Sequence, residues 1–86
     1  MKPEGGIALD KKYLPEDFPY PLNEDIQAIY DARELLDRFP DDDMKLYLLK
    51  KAIYEMTLTM KSMCIEGRLR QDTRDDLADY FWGFLL

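Results

Sequence analysis

The side chains of this chain that could take part in chemistry are its carboxylates and a single thiol, because the sequence contains 18 Asp and Glu residues, one cysteine and no histidine. Without histidine, the chain lacks the commonest general base and the commonest transition-metal ligand. Cys64 has no imidazole to activate it, and a free cysteine of this kind is typically buried filler in a core. The sequence also contains no Walker pattern, no CxxC pair and no glycine-rich loop. We therefore expect no enzymatic activity and no cofactor.

Two groups of aspartates have a spacing that could hold a hard cation. Asp41–Asp43 follow a proline, but the glycine at the sixth position and the glutamate at the twelfth position of a calcium loop are missing. The second group shares one face of a predicted helix and consists of Asp72, Asp75, Asp76 and Asp79. Exposed like charges of this kind normally form a solvated surface. Both groups are therefore interpreted as surface, and no metal site is predicted.

Charge and cysteine content restrict the partners and the compartment. The net charge of −6 disfavours direct binding of nucleic acid or of an anionic membrane and favours basic partners. A single cysteine cannot form an internal disulfide, which is typical of a reducing compartment. No apolar leader region precedes residue 12, and no apolar run is long enough to cross a bilayer. A cytoplasmic protein is expected, and its composition resembles that of small bacterial accessory proteins.

The length of 86 residues and the hydrophobic share of 47% predict one folded domain with a single core. Residues 1–21 contain four prolines, which prevent a continuous helix. The fold expected is all-α: a three-helix bundle with a long central helix and an extended, proline-containing N-terminal arm. The arm covers residues 1–21 and the helical domain covers residues 22–86, with helices at about 23–39, 42–66 and 73–85.

The first helix is predicted to begin at the N-cap residue Asn23 and to stop before Pro40. On a wheel of about 100° per residue its core face comprises Ile26, Ala28, Ile29, Ala32, Leu35, Leu36 and Phe39. Its outer face is acidic and includes Asp31 and Glu34. The third helix is predicted to start at a capping box formed by Thr73 and Asp76. Its core face comprises Leu77, Phe81, Phe84 and Leu85, with Trp82 at the margin.

The second helix is predicted to be apolar on two nearly opposite sides. One side is a seam at heptad-like spacing, formed by Leu46, Leu49, Ile53, Met56, Met60 and Met63. This seam is the predicted centre of the core, and an adaptable methionine-rich binding groove is the alternative. The other side, about 150° away, is called here the second stripe and consists of Tyr47, Tyr54, Leu58 and Ile65. We expect the N-terminal arm to cover the second stripe through Tyr13, Leu14, Phe18, Tyr20 and Leu22, and a homodimer is the rival.

Two functions are compatible with these patterns. The preferred one is a non-enzymatic interaction or regulatory module that binds a protein of unknown identity through apolar surface outside the core. Its candidate contact residues are Tyr47, Tyr54, Leu58, Ile65 and Trp82. The alternative is an acidic inhibitor that imitates nucleic acid and blocks a DNA- or RNA-binding protein. Its candidate acidic residues are Asp31, Glu34, Asp72, Asp75, Asp76 and Asp79.

Overall fold

The structure, a computed structural model, describes residues 12–85. Within that range it contains three α-helices: α1 spans Leu22–Arg38, α2 spans Asp43–Ile65 and α3 spans Gln71–Trp82. One 3-10 turn, Pro15–Asp17, precedes α1 and another, Gly83–Leu85, follows α3. The predicted all-α three-helix bundle with a long central helix is therefore confirmed. The part of the predicted arm that covers residues 1–11 lies outside the described residues, as does Leu86.

The ends of α2 are formed by the residues that the sequence indicates. The Asp42 carboxylate accepts hydrogen bonds from the backbone N–H groups of Met44 at 2.9 Å and Lys45 at 3.3 Å. The bond from the Lys45 N–H makes the largest contribution, and the two bonds together hold the pKa of Asp42 below its ordinary value. At the other end Gly67 adopts a φ of 76°, which favours glycine, and the N–H of Arg68 turns back to the carbonyl of Met63 at 2.8 Å.

The first turns of α1 and α3 differ from the prediction. Asn23 lies inside α1 and does not cap it. Its backbone N–H donates to the Pro19 carbonyl at 3.1 Å, so the preceding turn supplies the hydrogen bond that was expected from a side-chain cap. In α3 the predicted capping box is wrong, because the helix already begins at Gln71. The N-cap residue is Arg70, whose side chain makes no capping hydrogen bond, and Asp72 in the first turn accepts the N–H of Thr73 at 2.8 Å.

The core forms where α1 and α3 both pack against the seam of α2. Five seam residues are fully buried, and Leu46 at the end of the seam is half-buried. The buried residues are Leu22, Ile26, Ile29, Tyr30, Leu49, Ile53, Met56, Met60, Met63, Leu77 and Phe81. The predicted core face of α1 is rotated from the observed one, since Ala28, Leu35 and Phe39 are exposed. The side of α1 that packs on α2 includes Leu22, the first residue of the helix, which is fully buried in the core.

In the described part of the arm, residues 12–21, Tyr13 and Phe18 pack against the core beside an aromatic cluster of α1 and α3, whereas Pro21 lines a shallow groove with Leu58. The Tyr13 ring lies 5.3 Å from the Tyr80 ring and 6.4 Å from the Phe81 ring, between centroids. The Tyr30 hydroxyl donates to the Tyr13 carbonyl at 2.6 Å, and burial, together with the neighbouring Tyr80 hydroxyl, raises the pKa of Tyr30. Phe18 also packs on the core. The prediction that Tyr13, Leu14, Phe18, Tyr20 and Leu22 cover the second stripe is therefore wrong for these residues.

Ile53→Ala should lower the free energy of unfolding by about 2 to 5 kcal/mol, because it leaves a cavity at a fully buried position of the seam. Ile65→Ala provides a matched control on the same helix, since Ile65 is 77% exposed and should change the value by less than about 0.5 kcal/mol. Urea denaturation followed by circular dichroism measures both. Equal effects at the two positions would mean that the seam is not the core.

Tyr13→Ala should lower the free energy of unfolding by about 1 to 3 kcal/mol, because the half-buried ring contacts Phe18, Tyr80 and Phe81. Tyr54→Ala is the control, since that ring is exposed on the second stripe. The same denaturation experiment compares the two variants. A Tyr13 variant as stable as the intact chain would show that the arm does not contribute to the fold.

Candidate functional site

The second stripe stays open to solvent because α1 and α3 contact the opposite side of α2. Its exposed fractions are 56% for Tyr47, 55% for Tyr54 and 49% for Leu58. With Ile65 it forms a row that extends along α2 for about 27 Å at 1.5 Å per residue. Four large apolar side chains on one helix face are more than the scattered exposed hydrophobics of an ordinary surface.

The end of the chain that follows α3 turns one end of this row into a groove of about 440 Å³. Its walls come from α2 on one side and from α3 with its 3-10 turn on the other. The lining residues are Tyr47, Lys50, Lys51, Tyr54, Trp82 and Leu85. We call this concavity the aromatic groove. It brings Trp82, which is 37% exposed, together with two of the four residues of the second stripe.

Lysines share the face that carries the second stripe. On a wheel of about 100° per residue, Lys50, Lys51 and Lys61 lie within about 60° of Tyr47, and no carboxylate between Tyr47 and Ile65 lies within that angle. Within residues 12–85, none of the three ammonium groups forms an ion pair. The hydroxyls of Tyr47 and Tyr54 likewise have no hydrogen-bond partner in that range. The face is apolar and basic, and its donors are exposed to solvent.

Three members of the aromatic groove, Lys50, Lys51 and Leu85, were not among the sequence-predicted contact residues. The sequence could have identified Lys51, because its angle on the helical wheel is about 40° from that of Tyr47. Leu85 was predicted to face the core and is half-buried. Its position depends on the 3-10 turn Gly83–Leu85, which replaces the last turn of the predicted helix. Leu58 and Ile65 belong to the row but do not line the groove.

The predicted acidic residues are all exposed, but several are bound to a neighbour on their own helix. Gln27 donates to Asp31 at 3.0 Å, Arg38 lies 3.7 Å from Glu34, and Gln71 donates to Asp75 at 3.3 Å. Arg70 forms two hydrogen bonds to Asp72, at 3.1 and 2.7 Å, and these are the main reason that the pKa of Asp72 is lowered. Asp76 and Asp79 complete the set and are exposed. The acidic faces are therefore interrupted by opposite charge.

The remaining groups with potential chemistry are dispersed. Across residues 12–85, no three Asp, Glu or Cys side chains gather closely enough to hold a metal ion. Cys64, which was expected in the core, is half-buried near the end of α2. A second shallow groove, between α1 and α2, has mixed charge from Asp31, Lys45, Lys51 and Glu55. The aromatic groove differs from it in that only lysines supply its charge.

Comparison with known proteins finds no matching family model, no similar curated protein and no similar solved structure. In the described part of the chain, no helix combines the length and the apolar content needed to cross a membrane. The surfaces of the molecule are thus the basis for a functional proposal.

Iodide should quench the fluorescence of Trp82 more strongly than caesium does, although the net charge of the chain is −6. The reason is that Lys50 and Lys51 line the same groove and concentrate anions there. Trp82 is the single tryptophan, so the signal has one source. The quenching constant of each ion is measured at low ionic strength and divided by the constant of the same ion for N-acetyltryptophanamide. The two ratios are then compared.

The double variant Lys50→Glu, Lys51→Glu should reverse the order of the two quenchers. Neutral acrylamide serves as a control for exposure, because it does not respond to charge. Stronger quenching by caesium in the unaltered chain would contradict a basic groove.

Proposed function

We propose that this chain is a non-enzymatic interaction or regulatory module that binds another protein through the exposed face of α2. The observation that carries the proposal is the aromatic groove, where Tyr47, Tyr54 and Trp82 are exposed side by side. Tyrosine and tryptophan supply large contact areas at low entropic cost and are enriched at the energetic centres of protein interfaces. A face of this composition is a binding surface rather than a solubilising one.

The position of this face supports the same role. The core is complete without it, because α1, α3 and the arm residues Tyr13 and Phe18 all pack elsewhere. Substitutions on the face can therefore change binding without a large change in stability. The surface is also rigid, since α2 is the longest helix and is packed along its seam by both neighbours. A rigid helix loses little conformational freedom when a partner binds.

The alternative function, a nucleic-acid-mimicking inhibitor, has less support. A mimic must present a continuous field of negative charge to a basic groove. In this structure Glu34 is paired with Arg38 of the same helix, and Asp72 is paired with Arg70, the residue just before α3. The third helix still presents Asp75, Asp76 and Asp79, but at 3.6 residues per turn they span little more than one turn.

We propose the cytoplasm as the site of action. The support is the sequence argument from one cysteine, with no second cysteine available for an internal disulfide. In the structure Cys64 is half-buried and free. A reducing compartment would keep this thiol from forming an intermolecular disulfide.

The proposed function is tested by photocrosslinking in the native cells. A photoreactive amino acid is incorporated at position 58, beside the aromatic groove, and the cells are irradiated. Crosslinks to one protein are expected from position 58 and not from position 79 on the acidic face of α3. Tyr54→Glu, combined with the crosslinker, should remove the crosslinked product because it puts a charge into the interface. Phe39→Glu is the matched control, since Phe39 is 52% exposed and lies off this face.

Salt separates the two functions when the crosslinking is repeated in a lysate of the same cells. Raising the ionic strength from about 0.1 M to about 1 M shortens the Debye length from about 10 Å to about 3 Å. An interface centred on apolar side chains should keep most of its crosslinks under these conditions. A loss of crosslinks at position 58, with retention at position 79 in low salt, would support the mimic and contradict the proposal.

A further inference from the structure

The geometry points to an acidic amphipathic helix of the partner as the ligand of the aromatic groove. Its apolar side chains would contact Tyr47, Tyr54 and Trp82, and its carboxylates would pair with Lys50 and Lys51. This inference rests on the proposed function and names the chemistry of the partner. An acidic ligand is the opposite of what the net charge of −6 favours by itself, which is a basic partner.

Local charge carries the argument. Only lysines contribute charged side chains to the lining of the groove within residues 12–85, and Lys61 continues the basic row along α2. The cations elsewhere are mostly engaged: Arg33, Arg38, Lys45, Arg68 and Arg70 each have a carboxylate partner. Within residues 12–85, three of the four lysines without a carboxylate partner thus lie beside the apolar row, and the fourth, Lys12, lies over the Tyr13 ring at 5.3 Å. Carboxylates of a ligand are their natural complement, and their long stems can lie along its apolar surface.

The shape of the groove fits a helix. Tyr47 and Tyr54 are seven residues apart, which is about 10.5 Å, or two helical turns. An amphipathic helix presents apolar side chains at positions i, i+3, i+4 and i+7, so it repeats with the same spacing. Trp82 and Leu85 form a wall that would hold such a helix alongside α2. The carboxylates would then flank its apolar stripe, level with Lys50 and Lys51.

A second copy of the chain fits this face less well. In an antiparallel two-fold arrangement that superposes the whole row, Tyr47 faces Ile65 and Lys51 faces Lys61 of the other copy. In a parallel arrangement each lysine faces its own equivalent. Both arrangements place like charges opposite one another, which destabilises an interface. The homodimer considered from the sequence is therefore disfavoured at this face.

Nucleic acid is the other polyanion that aromatic and lysine side chains could bind. The exposed carboxylates of α1 and α3 oppose it, because a phosphate backbone extends well beyond two lysines and meets a chain of net charge −6. A short acidic helix places its charge only where the lysines are. The protein ligand is therefore the one that the charge distribution favours.

The experiment uses the full chain and a pair of synthetic 14-residue helical peptides. Both peptides carry leucine at the i, i+3, i+4 and i+7 positions; the acidic one has glutamate beside this stripe and the basic one has lysine at the same positions. Binding is followed through the emission of Trp82, which is the single tryptophan and lines the groove. At low salt the acidic peptide should bind about ten-fold more tightly than the basic peptide.

Charge reversal provides the matched control. In the variant Lys50→Glu, Lys51→Glu the preference should invert, so that the basic peptide binds more tightly. Tyr54→Ala should weaken both peptides, because it removes part of the apolar contact that they share. Circular dichroism of each variant confirms that the helices are intact, so that a loss of binding is not a loss of folding.

Four results would overturn the inference: equal binding of the two peptides, preference for the basic one, no binding of either, or tighter binding of a single-stranded oligonucleotide. A dimer by light scattering that Tyr54→Glu dissociates would also overturn it and assign the face to a second copy. The crosslinking experiment stands apart from these results. Crosslinks at position 58 without a preference for the acidic peptide would retain the proposed function and reject this ligand.

Discussion

The fold depends on one constraint, which is that α1 and α3 both pack on the same side of α2. The seam residues Leu49, Ile53, Met56, Met60 and Met63 form the surface that the two helices share. Burial on that side leaves Tyr47, Tyr54, Leu58 and Ile65 on the opposite side of α2 largely exposed. The core and the candidate binding face are therefore two consequences of a single packing arrangement.

The sequence was informative where local signals and helical periodicity agreed. The predicted range of about 42–66 for the second helix agrees with α2, which Asp42 caps at its start and which is followed by Gly67 with a positive φ. The heptad-like spacing identified the seam because only one side of α2 carries apolar residues at every turn. The separate row of Tyr47 and Tyr54 was also visible from the helical angle, although it was expected to be covered. The fold class was thus predictable, and three of the six residues that line the groove were among the predicted contact residues: Tyr47, Tyr54 and Trp82.

The features that sequence reasoning missed depend on contacts between distant segments. The wheel of α1 was centred too far toward Leu35 because it could not show that Leu22 enters the core. The arm was assigned to the wrong surface, because several apolar surfaces compete for it and only the Tyr13 contacts with Tyr30 and Tyr80 decide the outcome. The groove required Leu85 beside Trp82, a placement that depends on the turn after α3. Local periodicity does not contain this information.

The three buried methionines also determine how oxidants would damage the molecule. Met56, Met60 and Met63 have at most 1% of their surface exposed, whereas Met44 is 59% exposed. Peroxide must reach a sulfur to form a sulfoxide, so among the methionines of residues 12–85 a folded molecule is oxidised first at Met44, with little structural cost. A molecule that opens transiently exposes the three buried thioethers. Their sulfoxides are polar and costly to bury, so each oxidation shifts the equilibrium toward the open state until the sulfoxide is reduced.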